Sequence, residues 1–185
     1  ETDVLDYTIF EKLNYLEINF SNKVSSTVNI TSNAFSLKLF AVDRTTNTIT
    51  ITRESKITEI IIEYSDINEI NYEKDLTFLK ILNSSINKIS KITSLEYAEI
   101  YGGNNLVQLL DNITDKVKNL TINNYVDRFM PSLPLISYTN LKKLKLNQSS
   151  IRLMGSSTKI SNSDLIIEYH IPNEDVLKNL ERFMK

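Results

Sequence analysis

The order of apolar and polar residues repeats along this chain. In segment 57–70, ITEIIIEYSDINEI, apolar residues stand at positions 1, 4, 6, 11 and 14, counted from Ile57. Segment 76–89, LTFLKILNSSINKI, has the same pattern 19 residues later, and segment 141–154, LKKLKLNQSSIRLM, has it again. Repetition of a five-point pattern predicts a chain built from stacked copies of one structural unit.

Weaker copies of the pattern occupy the rest of the chain, among them LNYLEINFS from Leu13 and ITSLEYAEI from Ile92. The eight copies start at residues 13, 34, 57, 76, 92, 117, 141 and 162, which gives a mean spacing of about 21 residues. A single unit of this length cannot bury its own apolar side. A stack can, because each copy covers the next.

The spacing within each copy predicts its local structure. Positions 4 and 6 are two residues apart, so both side chains point to one side of a short strand, into the core. Positions 11 and 14 are three apart, which is the spacing of a helical turn or an irregular bend. The pattern therefore predicts a parallel sheet of about eight short strands on one wall and an irregular opposite side.

This pattern resembles that of the leucine-rich repeat family, L-x-x-L-x-L-x-x-N-x-L, with Ile in place of many Leu residues. Position 9, where that family has Asn, holds Ser21, Ser65, Ser84 and Ser149. A serine hydroxyl can also satisfy a local backbone group at a turn. The resemblance implies a mainly β, leucine-rich-repeat-like solenoid that recognises partners through the inner face of its sheet.

The chain is expected to form a single domain over residues 1–185. Residues 57–171 would hold the regular repeats. Within residues 1–56, the alternation on both sides of the polar stretch DRTTN predicts a hairpin-like cap or insertion, with 48–52 as its second arm. Residues 172–185, with a stripe of apolar residues at helical spacing, would form a C-terminal capping helix.

Few residues are available for catalysis or metal binding. There is no cysteine, His170 is the only histidine, and the three glycines cannot form a phosphate-binding loop. Glu59 and Glu63 would lie roughly 13 Å apart along one strand, too far for glycoside hydrolysis. We therefore expect no enzyme, no cofactor and no metal site.

The overall composition also limits the classes of partner that this chain is expected to bind. The net charge of -2 gives no basic surface for nucleic acid, and no apolar run approaches the length of a membrane span. A protein partner is therefore the expectation, although the sequence names neither its identity nor the oligomeric state of this chain.

Positions 3, 5 and 7 of each strand should point away from the core. Most of these residues are polar, but Phe40, Ile61, Phe78 and Leu82 come from three consecutive copies and would form one apolar patch. Glu59, Glu63 and Lys80 would border it. These seven residues are the predicted partner-binding site, unless the 48–52 arm covers the patch.

The resulting hypothesis is a non-catalytic protein-protein interaction module. One alternative is a secreted or surface adhesin-like domain that binds a receptor or carbohydrate, which glycans on the six N-x-S/T sites would favour. Another is the recognition arm of a larger assembly, such as a ubiquitin-ligase receptor.

Overall fold

The structure, a computed structural model, describes residues 2–21, 26–43, 46, 48–90, 92–102, 109–110, 113, 115–123, 132–134, 139–147, 152–154 and 165–170. Within them the chain is mainly parallel β-structure, wound as a β-solenoid. The predicted capping helix over residues 172–185 lies outside the described residues.

One wall of the solenoid is an eight-stranded parallel sheet, as the pattern predicted. Its strands, in chain order, are β2 (Tyr15–Asn19), β4 (Ser36–Phe40), β6 (Glu59–Glu63), β8 (Leu76–Leu82), β10 (Leu95–Tyr101), β11 (Val117–Asn123), β13 (Lys143–Asn147) and β15 (Ile166–His170). Each strand pairs only with the copies before and after it in this series. The stacking of neighbouring copies is therefore confirmed.

The opposite wall is a second parallel sheet. Its five strands are β1 (Thr2–Tyr7), β3 (Thr27–Ser32), β5 (Thr48–Ile51), β7 (Asp66–Tyr72) and β9 (Ser85–Ser90). Further along the chain, β12 (Ser132–Pro134) and β14 (Arg152–Met154) pair as a separate two-stranded sheet. Between β1 and β10 the chain alternates strand by strand between the two walls.

The core lies between the two walls. In the third copy, the first wall contributes the buried residues of positions 1, 4 and 6, which are Ile57, Ile60 and Ile62. The second wall contributes the buried residues Ile67 and Ile70. In the long connection between β10 and β11, the second wall supplies no described strand, and buried Leu109, Leu110 and Ile113 complete the core.

Positions 11 and 14 correct the sequence interpretation. They lie in a strand of the second sheet rather than in a bend or helical turn. Ile67 pairs with Ile86, and Glu69 pairs with Lys88, while Asn68 between them is skipped in the pairing. Asn87 of the neighbouring strand, whose side chain donates to Asn68 Oδ1, is skipped as well, so the alternation is interrupted at the same point in both strands and the buried side chains stand three residues apart. β-Branched isoleucine favours the strand.

The predicted hairpin over residues 35–51 is also wrong. Its two arms became β4 and β5, which lie in different sheets and pair in parallel with other copies. The arm at 48–52 is therefore a regular part of the second wall. Alternating residues on both sides of a polar turn fit a hairpin and a solenoid corner equally well, because both connect two half-buried strands.

A repeated corner ends the strands of the eight-stranded sheet. The residue at position 8 has left-handed backbone in four consecutive copies, with φ of 55° at Ala41, 48° at Tyr64, 46° at Asn83 and 61° at Gly102. Its N–H donates to the carbonyl of position 7 in the next copy, as from Tyr64 to Leu82 at 3.0 Å. This conformation turns the chain towards the other wall.

Serine at position 9 links successive corners. The Ser65 hydroxyl accepts from the Val42 N–H at 3.1 Å and donates to the Glu63 carbonyl at 2.8 Å. Ser84 repeats this one copy later, accepting from the Ser65 N–H at 3.0 Å and donating to the Leu82 carbonyl at 2.8 Å. These hydroxyls satisfy backbone groups that the corner would otherwise leave buried without partners.

The sequence register fails in two copies. The fifth copy starts at Leu95 rather than Ile92, since Tyr97 pairs with Phe78. As a result Ala98, predicted to face outwards, is buried in the core. In the last copy Ile166 takes position 3, because it pairs with Lys143. His170 consequently takes position 7 and pairs with Asn147, whereas a start at residue 162 predicts position 9 for it.

Candidate binding face

The outward side of the eight-stranded sheet, which we call the open face, carries the residues at positions 3, 5 and 7 of each copy. All seven predicted site residues lie on it, on neighbouring strands β4, β6 and β8. Phe40, Ile61, Phe78 and Leu82 are each partly exposed. The arm at 48–52 does not cover them, because it belongs to the other wall.

Parallel pairing arranges the centre of the open face as three strands of three residues. This central array consists of Glu59, Ile61 and Glu63 on β6; Phe78, Lys80 and Leu82 on β8; and Tyr97, Glu99 and Tyr101 on β10. Paired residues on adjacent strands lie about 4.8 Å apart. Aromatic and aliphatic side chains thus lie on all three strands, with the charged Lys80 and Glu99 in the row between them.

The β10 residues of the central array were missed by the sequence interpretation, which placed Ser94, Glu96 and Ala98 there. A copy that starts at Ile92, with the sequence ITSLEY, has large apolar residues at positions 1, 4 and 6. The correct reading, LEYAEI, puts the small Ala98 at position 4. A signal existed nevertheless, because a start at Leu95 preserves the 19-residue spacing of the preceding copy.

A network of charges spans the first three strands of the open face. Lys38 Nζ lies 2.9 Å from Glu63 Oε2 and 3.6 Å from Glu17 Oε2. The hydrogen bond to Glu63 raises the pKa of Lys38, so the lysine stays charged. The same ammonium lies 5.5 Å from the centroid of the Phe40 ring. The edge of the patch at Phe40 therefore combines a ring, a cation and two carboxylates.

A second cation lies over an aromatic ring within the central array. Lys80 Nζ is 5.1 Å from the centroid of Tyr101, and the Tyr101 hydroxyl donates to Glu99 Oε2 at 3.2 Å. Burial raises the pKa of Tyr101, and the nearby Glu99 carboxylate adds to the effect. Tyr101 thus remains a neutral hydrogen-bond donor at neutral pH.

The remaining corner of the central array has rings without a cation. Phe78 and Tyr97 are paired neighbours, and 52% of Tyr97 is exposed. Glu59 pairs with Phe78 on the other side. Within the described part of the chain, no lysine or arginine lies over either ring, and no hydrogen bond or ion pair engages the Glu59 carboxylate.

The outward side of the five-stranded sheet differs in character. Its central columns are polar and include Thr27, Asn29, Thr48, Thr50, Asn71 and Ser90. Val4, at the edge strand β1, is its exposed apolar residue in the described chain, at 69%. The two walls thus present surfaces of different chemistry.

No arrangement typical of a metal site is formed by the described residues, where no group of three His, Cys, Asp or Glu side chains could hold an ion. Nor does any helix in that part of the chain have the length and apolar character needed to cross a bilayer. The candidate site in this part of the chain is the apolar and charged surface of the open face.

Comparison with protein families, curated proteins and solved structures finds no match to this chain.

Proposed function

We propose that this chain is a leucine-rich-repeat-like, non-catalytic protein-protein interaction module that binds its partner through the open face. The single observation that supports this most strongly is the contiguous surface of Ile61, Phe78, Leu82, Tyr97 and Tyr101 on three adjacent strands. Aromatic and aliphatic side chains usually provide most of the energy of an interface, and surrounding polar residues exclude water.

The contrast between the two walls supports the choice of face. A parallel sheet can form without aromatic residues on its outer side, as the Thr- and Asn-rich outer side of the five-stranded sheet illustrates. Contiguous apolar surface on a protein exterior commonly marks a contact site. Ile61, Phe78 and Leu82 of this surface belong to two consecutive copies of identical length, 57–75 and 76–94, whose strands pair in register.

Capture of the natural partner tests the proposal, with the whole chain as bait and mass spectrometry to identify the partner. Phe78→Lys should abolish capture, because a charge in the middle of the interface must be desolvated. We prefer it to Ile61→Lys, since Ile61 lies between Lys38 and Lys80 and a third lysine would add repulsion.

Thr50→Lys is the matched control. It introduces the same side chain at the middle of a strand on the opposite wall, between Asn29 and Asn71. It should leave capture intact, and circular dichroism and melting should be unchanged in both variants. Equal capture by the parent and Phe78→Lys would refute the assignment of the open face. Unfolding of Phe78→Lys would show that this residue belongs to the core.

A further inference from the structure

The open face contains the same small unit more than once: an aromatic ring, a carboxylate and a lysine over the ring. Lys38 lies over Phe40 and pairs with Glu63. Lys80 lies over Tyr101, whose hydroxyl bonds Glu99. In each case a ring face attracts a cation, and a nearby carboxylate adds to that attraction.

The third set of rings on this face lacks an internal cation. Phe78 and Tyr97 lie side by side, with Glu59 about 4.8 Å beyond Phe78 and Glu99 two residues along the strand from Tyr97. Tyr97 interacts electrostatically with Lys118, whose Nζ lies 2.6 Å from Glu96 Oε2 near the start of β10. That lysine is already paired with a carboxylate.

The charges within the central array favour binding of a cationic group. Its nine residues carry three carboxylates, Glu59, Glu63 and Glu99, and one ammonium, Lys80. Glu63 is engaged by Lys38, and Glu99 accepts from Tyr101 and lies opposite Lys80 on the neighbouring strand. The Glu59 carboxylate has no partner among the described residues. An incoming cation would therefore find two rings and an available carboxylate within the span of one long side chain.

From this geometry we infer that the open face recognises a protein partner by an arginine side chain, laid over Phe78 and Tyr97 and held by Glu59 and Glu99. Arginine fits better than lysine, because its planar guanidinium can stack on a ring while its N–H groups point at carboxylates beside the ring. The inference rests on the proposed function and specifies the chemistry of the partner.

Fluorescence anisotropy with defined peptides tests this without knowledge of the partner. The probe is a fluorescein-labelled nine-residue Gly/Ser peptide with three arginines, compared with the same peptide carrying lysine or uncharged citrulline. The whole chain should bind the arginine peptide most tightly and the citrulline peptide least. Binding should weaken as salt rises, because exposed charges are screened.

Variants locate the binding site. Tyr97→Ala should weaken binding of the arginine peptide about two- to fivefold, the loss expected for one cation–π contact. The double variant Glu59→Gln/Glu99→Gln should weaken binding of the arginine peptide further, because it removes both negative charges and keeps the shape of the two side chains. Phe10→Ala is the matched ring control, because Phe10 is also 52% exposed but lies outside the open face. Glu11→Gln, in an exposed loop, is the charge control.

The outcomes separate this inference from the proposed function. Equal affinity for the arginine and citrulline peptides, or full binding by Tyr97→Ala, would overturn the arginine site. If Phe78→Lys still abolished partner capture in that case, the open face would remain the interface. Binding of cellohexaose that depends on Tyr97, without binding of the arginine peptide, would instead identify a carbohydrate surface and overturn the inference.

Discussion

Replacing Ser65 by alanine tests how the corners of the solenoid are held together. The serine hydroxyl accepts from the Val42 N–H and donates to the Glu63 carbonyl, and 5% of Ser65 is exposed. In Ser65→Ala the Glu63 carbonyl keeps its bond from the Ala41 N–H at 3.2 Å. The Val42 N–H, on a residue that is 2% exposed, loses its partner.

The expected cost follows from that single orphaned group. A buried donor without a partner costs about 1–3 kcal/mol, so we expect a loss of about 2 kcal/mol in the free energy of unfolding. For a domain of this size, that corresponds to a fall in Tm of about 4–8 °C. Urea denaturation followed by circular dichroism should show a lower midpoint with an unchanged m value.

The chain provides its own control in Ser21, which occupies the same position of the first copy but is exposed. Its N–H donates to Asn19 Oδ1, and no described backbone N–H depends on its hydroxyl. Ser21→Ala should change stability by less than about 0.5 kcal/mol. If Ser65→Ala costs no more than Ser21→Ala, the serine ladder does not stabilise the corner and the reasoning fails.

Three further experiments test other parts of the structure by equilibrium denaturation. Ile62→Asp places an unpaired carboxylate in the core and should cost more than about 3 kcal/mol, whereas Glu59→Gln on the open face should be nearly silent; equal stability of the two would refute the register. Gly102→Ala should destabilise by about 1–2 kcal/mol, because its φ is 61° and the added Cβ would meet Asn83 Oδ1 at 2.8 Å, while Ala41→Gly at φ 55° should be neutral or stabilising. Burial raises the pKa of Tyr72 from its ordinary value of 10 to about 12, so the contribution of Tyr72 to stability is complete below pH 10 and is lost as pH rises towards 12. Tyr72→Phe should lose that part of the alkaline decline, and an identical pH profile would contradict the assignment.

The regular copies made the first wall predictable. Positions 4 and 6 fixed which residues of β6, β8 and β13 are buried, and six of the eight predicted starts agree with the pairing. The second wall was not predictable from spacing alone. A three-residue gap between Ile67 and Ile70 indicates a helical turn unless the alternation of a strand is interrupted, and nothing in the sequence predicts such an interruption at Asn68.

The candidate site was predictable to the same extent as the register. Ile61, Phe78 and Leu82 come from copies that match the pattern closely, so their outward direction followed directly. Tyr97 and Tyr101 were missed because Ala98 is too small to stand out as a core residue. Pairing between strands decides such cases, since a wrong start changes which side chains face outwards.

The two 19-residue copies have a consequence for how this protein can change length. Residues 57–75 and 76–94 share their spacing, their left-handed corner and their serine, so the two copies are interchangeable and fit the same neighbours. If residues 57–75 were deleted, β4 would pair with β8, Ser36 would lie opposite Phe78, and all later strand pairs would be unchanged. Gain of one would add a row to the sheet. The chain can thus grow or shrink by tandem duplication and deletion in steps of about 4.8 Å, and the open face can change its width without redesign of the fold.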